Sequence, residues 1–257
     1  MSVYIPVAPE QCQLMDVALF SGDSDIDKAI KLCSGSQYTH AAAITKKGMA
    51  GAGMDGYKDR TLADTITSDD QYVSIVRFVG DPGNIQETQL GSSAFPAEPV
   101  IAANEAILAE GDMYGYDSLL LLAAICEVRR LTNPDAYQTM MQDSIFLRII
   151  EAIESTNIFQ LIQTISSRGK VPMVCSAAMY RIFSAAGEQY RPTILPESMK
   201  TMFDNISMYD SQLLNKLSQI HLQETGMPFQ FITPGDLAMS PSFAMRVGRL
   251  QYGTLET

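Results

Sequence analysis

VPMVCSAAMYRIFSAAG, residues 171–187, is the stretch on which the fold turns. A short apolar run, Val171-Pro172-Met173-Val174, meets Cys175, and Ser176, Ala177 and Ala178 open a helical pattern at once. Met179, Ile182, Phe183 and Ala186 recur at helical spacing, and Gly187 stands where a C-terminal cap belongs. Cys175 is therefore expected at a helix N-terminus, where unpaired amides and the positive end of the dipole favour a thiolate over a thiol. A cysteine so placed is either a buried small hydrophobe or an activated nucleophile, and this stretch alone leaves both open.

Working outward, residues 16–20 (DVALF) predict a strand and residues 21–24 a turn with an N-cap. Residues 25–33 predict a helix with Ile26, Ala29, Ile30 and Cys33 on one face. A second strand is expected over 38–45 (YTHAAAIT), opening at His40, and Lys46-Lys47-Gly48 is a hairpin-type turn. Residues 49–55 (MAGAGMD) predict a third strand, poor in side chains. Residues 71–79 (QYVSIVRFV) alternate, with Val73, Ile75 and Arg77 opposing Ser74, Val76 and Phe78, and form the clearest strand.

The texture then changes. Residues 80–99 are rich in Gly, Pro and Ser and predict a loop, and residues 100–168 have helical spacing almost throughout. Residues 98–110 form an amphipathic helix, 116–131 a mostly apolar one that Pro134 ends, and 144–167 one or two helices with a wide apolar stripe. Residues 190–198 make a Pro-punctuated loop, 210–224 a helix, 231–237 a turn leading into a short helix, and 243–252 a last strand that closes the sheet. The expected class is α+β: a small antiparallel sheet against the helix that starts at Cys175, in one domain over 1–257 with a helical insert at about 97–168.

The net charge of −11 argues against a nucleic-acid footprint and against docking on anionic lipid by charge alone. The four cysteines (Cys12, Cys33, Cys126, Cys175) form no CxxC pair, and His40 and His221 are the only histidines, so neither a zinc cluster nor any other cofactor is expected. No signal peptide stands out at the N-terminus, and the longest apolar run, 119–126, is far short of a membrane span. The expected setting is a reducing cytoplasm, with export by a signal-independent route left open. Of the two histidines, His221 lies in a polar helical pattern that fits a solvated surface. His40 opens a strand behind a Gly-Ser turn, a position that can hold an imidazole toward a helix N-terminus.

Two local patterns combine here. The run LMDVALFSGDSDIDKAIKLCSGSQYTHAAAI, with Asp16, Leu19, Phe20, Ile26, Ile30, Gly35, Ser36, Tyr38, Thr39 and His40, resembles the entry segment of the permuted NlpC-type, papain-like amidases. That group includes the permuted murein peptidase-like proteins. The run around Cys175 resembles the same group's Cys-Ser helix, Thr233-Pro234-Gly235-Asp236-Leu237 its closing turn, and Tyr114-Gly115-Tyr116 its aromatic-Gly segment. His before Cys is the permuted order.

The resemblance implies a permuted papain-like fold and a cysteine hydrolase. Cys175 would be the nucleophile and His40 the base, acting through a thioester on an amide, with a cell-wall peptide as one substrate. A nearby imidazolium would help to stabilise the thiolate. Other members act on lipid acyl groups, so a lipid acyl hydrolase or acyltransferase is the alternative of the same fold. A binding module without catalysis is the alternative of another class. The implied partners are a peptide or acyl-containing substrate, with no nucleic acid and no integral membrane segment. Relatives usually carry a polar residue on the strand after His40 to orient the imidazole. That position falls near Gly51, with Asp55 the nearest carboxylate and Asp59 and Asp64 further on.

Overall fold

The computed structural model describes residues 7–24, 27–28, 30–31, 36–53, 56–67, 70–80, 85–110, 113–114, 171–172, 175–194, 232–243 and 245–250. The helices expected over 116–131, 144–167 and 210–224 lie outside these residues, as do Cys33, Asp55, Cys126 and His221.

Alternating short apolar runs build one sheet. Its strands are β1 (Val17–Gly22), β2 (His40–Ile44), β3 (Met49–Gly53), β4 (Gly56–Arg60), β5 (Asp70–Arg77) and β8 (Met245–Leu250). They pair antiparallel in the order β4-β3-β2-β1-β5-β8. The antiparallel α+β architecture follows. Five of these strands fall where the sequence predicts them, and β4 does not. GYKDR carries three charged residues and lacks strand formers beyond Tyr57, and an edge strand needs no more, since charge there blunts pairing with other chains.

The strand pleat divides the core into two layers. Val17, Leu19, Ala41, Ala43, Ala50, Ala52, Tyr57 and Val76 face one way. Ala18, Phe20, Ala42, Ile44, Met49, Val73, Ile75 and Leu250 face the other. The first layer is covered by α1 (Glu98–Glu110) and α2 (Cys175–Ala185), with α2 lying on β2 and β3 and α1 packed on α2. Alanines at 41, 43, 50 and 52 leave room for α2 to approach the strands closely. In α2 the buried residues are Cys175, Ser176, Ala178, Met179, Ile182 and Phe183, one face at helical spacing. Burial of each large side chain here stabilises the fold by about 1.5–3 kcal/mol.

α1 begins and ends where its pattern predicts and buries Val100, Asn104 and Ile107. The Tyr57 hydroxyl donates to Asn104 Oδ1 at 2.7 Å, tying β4 to α1. The stretch predicted as loop over 80–99 holds a single helical turn, Ile85–Thr88, and a bridge between Leu90 and Phe95. Two short parallel strands, β6 (Met113–Tyr114) and β7 (Val171–Pro172), bring residue 113 beside residue 171. α3 (Pro234–Met239) starts at the predicted turn, where Thr233 and Asp236 form a capping box.

One buried ion pair clamps the sheet. Asp16 is fully buried, and its carboxylate accepts from Arg77 Nε at 2.7 Å and Arg77 Nη2 at 2.9 Å. The preceding residue, Met15, takes a left-handed backbone (φ 69°) while its side chain is buried.

Candidate active site

Local sequence puts Cys175 at the first residue of α2 and His40 at the first residue of β2. Two independent contacts show which way α2 runs. At its C-terminal half, Phe183 stacks on Phe78 with ring centroids 5.2 Å apart. Phe78 follows β5 at the sheet end where Val17 pairs with Val76 and with Ala43, away from His40. At its start, the Ser176 hydroxyl donates to the Ile232 carbonyl. Three residues on, Gly235 packs so tightly on Ser36 that an added Cβ would stand 2.6 Å from the serine side chain. Ser36 leads into β2, its hydroxyl accepting from Tyr38 N at 3.1 Å. α2 therefore runs alongside β2 in the same sense, and its start lies at the His40 end of the strand. Cys175 and Phe183 are separated by about 12 Å of helix, close to the span of β2.

The two side chains reach this end from different layers. Cys175 is 1% exposed and belongs to the layer under α1 and α2. His40 pairs with Phe20 across β1 and β2, and the two rings meet edge to face at 5.3 Å and 66°. Phe20 belongs to the second layer. The imidazole also abuts position 51 of β3, where an added Cβ would stand 3.4 Å from Nε2. The position expected to orient the ring thus faces it directly, and it holds a glycine.

Burial pushes the His40 pKa down to about 4, with the Asp27 carboxylate acting to raise it and the Arg60 guanidinium to lower it. At pH 7 the ring is neutral. That corrects the expected standing imidazolium, since a half-buried ring beside apolar Phe20 loses more hydration than one carboxylate restores. The neutral ring can accept a proton, although the lowered pKa makes it a weak base at neutral pH.

The other carboxylates proposed from the sequence are engaged elsewhere. Asp59 accepts from the Thr45 hydroxyl at 2.6 Å beside the β2–β3 turn. Asp64 is exposed and accepts from the Thr61 hydroxyl at the start of a single helical turn. The charges that act on His40, Asp27 and Arg60, were not singled out in the sequence. Ser24-x-x-Asp27 is a capping-box pattern that could have flagged Asp27, though only for a local role. Arg60 Nη1 donates to the Gly51 carbonyl at 3.2 Å, which anchors the guanidinium beside the same strand.

Ser21 also escapes a sequence reading. Its hydroxyl is buried in the sheet without a hydrogen-bond partner, next along β1 from Phe20. Among the cysteines, Cys12 is the contrast case. Burial and then the Asp16 charge push its thiol up to about 11, so it stays protonated at neutral pH.

Among the described residues no group of three or more His, Cys, Asp or Glu could hold a metal ion, and no helix is long and apolar enough to cross a membrane. Comparison with known proteins finds no matching family model, no similar curated protein and no similar solved structure.

Proposed function

We propose that the protein is a cysteine hydrolase of permuted papain-like design that cleaves an amide, with Cys175 as nucleophile and His40 as base. The observation that carries this reading is the common placement of the α2 start and the β2 start at one end of the sheet. Neutral His40 takes the thiol proton as sulfur attacks the substrate carbonyl. Amides at the start of α2 hold the oxyanion, a contribution of roughly 3–4 kcal/mol per donor in such sites. The imidazolium then protonates the leaving amine, and the acyl group remains on sulfur as a thioester. Water attacks next, His40 takes its proton, and the acid leaves as the thiol is restored.

A panel of cell-wall stem peptides, other peptides and acyl esters tests the reading. Amide cleavage is expected, and C175A and H40A should each abolish it while leaving the fold intact. Full activity in both variants would refute the assignment, and turnover confined to acyl esters would move the substrate to lipid acyl groups.

A second reading is favoured by one specific pair of facts: Gly51 presents no side chain to Nε2, and Cys175 is almost fully buried. On that reading the groove binds peptide without cleaving it. No turnover on any panel member, with retained peptide binding, would support it.

A further inference from the structure

The proposed chemistry needs the His40 ring held in one orientation, and β3 offers no side chain for this at position 51. The other strand beside His40 is β1. Phe20 lies opposite His40, and Gly22 is two residues further along β1, on the same face by the strand pleat. A Cβ on Gly22 would overlap the Asp27 carboxylate, carbon and both oxygens alike. Gly22 takes no left-handed backbone, so what a side chain here would meet is the Asp27 carboxylate, which would have to move aside. The Gly22 amide donates to Thr39 Oγ1 at 3.3 Å, tying this point of β1 to the residue just before His40. The carboxylate is itself fixed: Ser24 N and Ser24 Oγ donate to Asp27 Oδ2 at 3.2 and 2.5 Å.

We propose that Asp27 is the positioning residue of His40: its carboxylate occupies the hollow over Gly22 on the face that carries the imidazole, and it holds the ring oriented for exchange of the Cys175 proton. The inference rests on the reading of His40 as the base. The orienting side chain would then come from the helical segment after β1 and not from β3. The direction of the charge effect agrees, since Asp27 favours the protonated ring as it forms during turnover. The other charged groups nearby are placed differently. Arg60 on β4 opposes protonation. Lys31 Nζ donates to the Gly22 carbonyl at 2.5 Å, and Lys28 lies 3.7 Å from Asp23. Lys58 on β4 is exposed, and β3 carries no charged residue.

The test uses histidine NMR, which needs no substrate. The chain has 2 histidines, so isotope-labelled His40 is resolved once His221 is assigned by H221Q. D27N keeps an oxygen acceptor for Ser24, so the helix start is retained while the charge is lost. G22A keeps the charge and displaces it. Both should lower the His40 titration midpoint by about one pH unit and convert a single neutral tautomer at pH 7 into a mixture. On the amide substrate, kcat should fall roughly 10- to 100-fold with KM little changed. An unchanged midpoint and an unchanged tautomer in both variants would overturn the proposal. If the wild-type protein shows no turnover, the hydrolase reading fails on its own, while the NMR comparison still decides whether Asp27 positions His40.

Discussion

At the scale of single residues, His40 couples chemistry to stability. Its folded pKa of about 4 lies below the ordinary 6.5. Between these values the unfolded chain binds the proton and the folded chain does not. Folding stability therefore falls as pH drops through this window, and the loss is complete below the folded pKa. Urea unfolding from pH 7 to pH 4 should show this loss, and H40Q should remove the His40 share of it, on the order of 2–3 kcal/mol. An identical pH slope in both proteins would show that His40 is not buried neutral. Asp16 makes the opposite kind of contribution. D16A leaves Arg77 as a buried charge without its carboxylate and should cost about 3–5 kcal/mol, measured by the same unfolding. The sequence marks Cys175 and His40 because each opens an element, a position visible in periodicity. It does not mark Asp27, whose proposed role depends on Gly22 lacking a side chain, a fact of packing that no local pattern carries.

At the scale of elements, α2 is the best specified piece. Its apolar residues fall on one face, and that face meets a strand pair stripped to alanine. I182A should cost about 2–5 kcal/mol, because Ile182 is fully buried with little room for its surroundings to collapse. A41L should also destabilise, by about 1–3 kcal/mol, since the added carbons enter the buried layer between β2 and α2. Thermal unfolding checks both, and tolerance of A41L would mean that α2 stands further from β2 than the packing requires. The sequence locates α1 and α2 well because helical spacing persists over several turns. It overruns β2, expected over 38–45 and formed by His40–Ile44, because Tyr38 and Thr39 extend the strand pattern but serve hydrogen bonds: the Tyr38 hydroxyl donates to Ser74 Oγ at 3.1 Å. β4 is hidden for the reason that suits it to an edge, its charge.

At the scale of the whole molecule, the order of the sheet joins distant parts of the chain. The last strand, β8, pairs with β5 and forms one edge, so residues near 75 depend on residues near 248. One apolar layer takes residues from Met15 to Phe243, on both sides of the pairing of β6 with β7. Truncation after residue 243 should therefore uncover β5, abolish cooperative unfolding in urea and promote association through the bared edge. A truncated chain that unfolds as cooperatively as the full one would show that β8 adds little to the sheet. The alternation of β5 is legible in the sequence, while the antiparallel sheet is expected from the resemblance. Which layer Cys175 and His40 enter is not legible, because that depends on register, and a slip of one residue exchanges the faces.

The central claim is that the start of α2 and the start of β2 build one reactive site. Site-resolved alkylation by iodoacetamide, followed from pH 5 to pH 9 in wild type and H40A, tests it most directly. One site predicts that H40A slows alkylation of Cys175 at least about ten-fold and leaves Cys12, whose thiol is pushed up to about 11, unchanged. Equal, slow alkylation of Cys175 and Cys12 in wild type, unchanged by H40A, would contradict it.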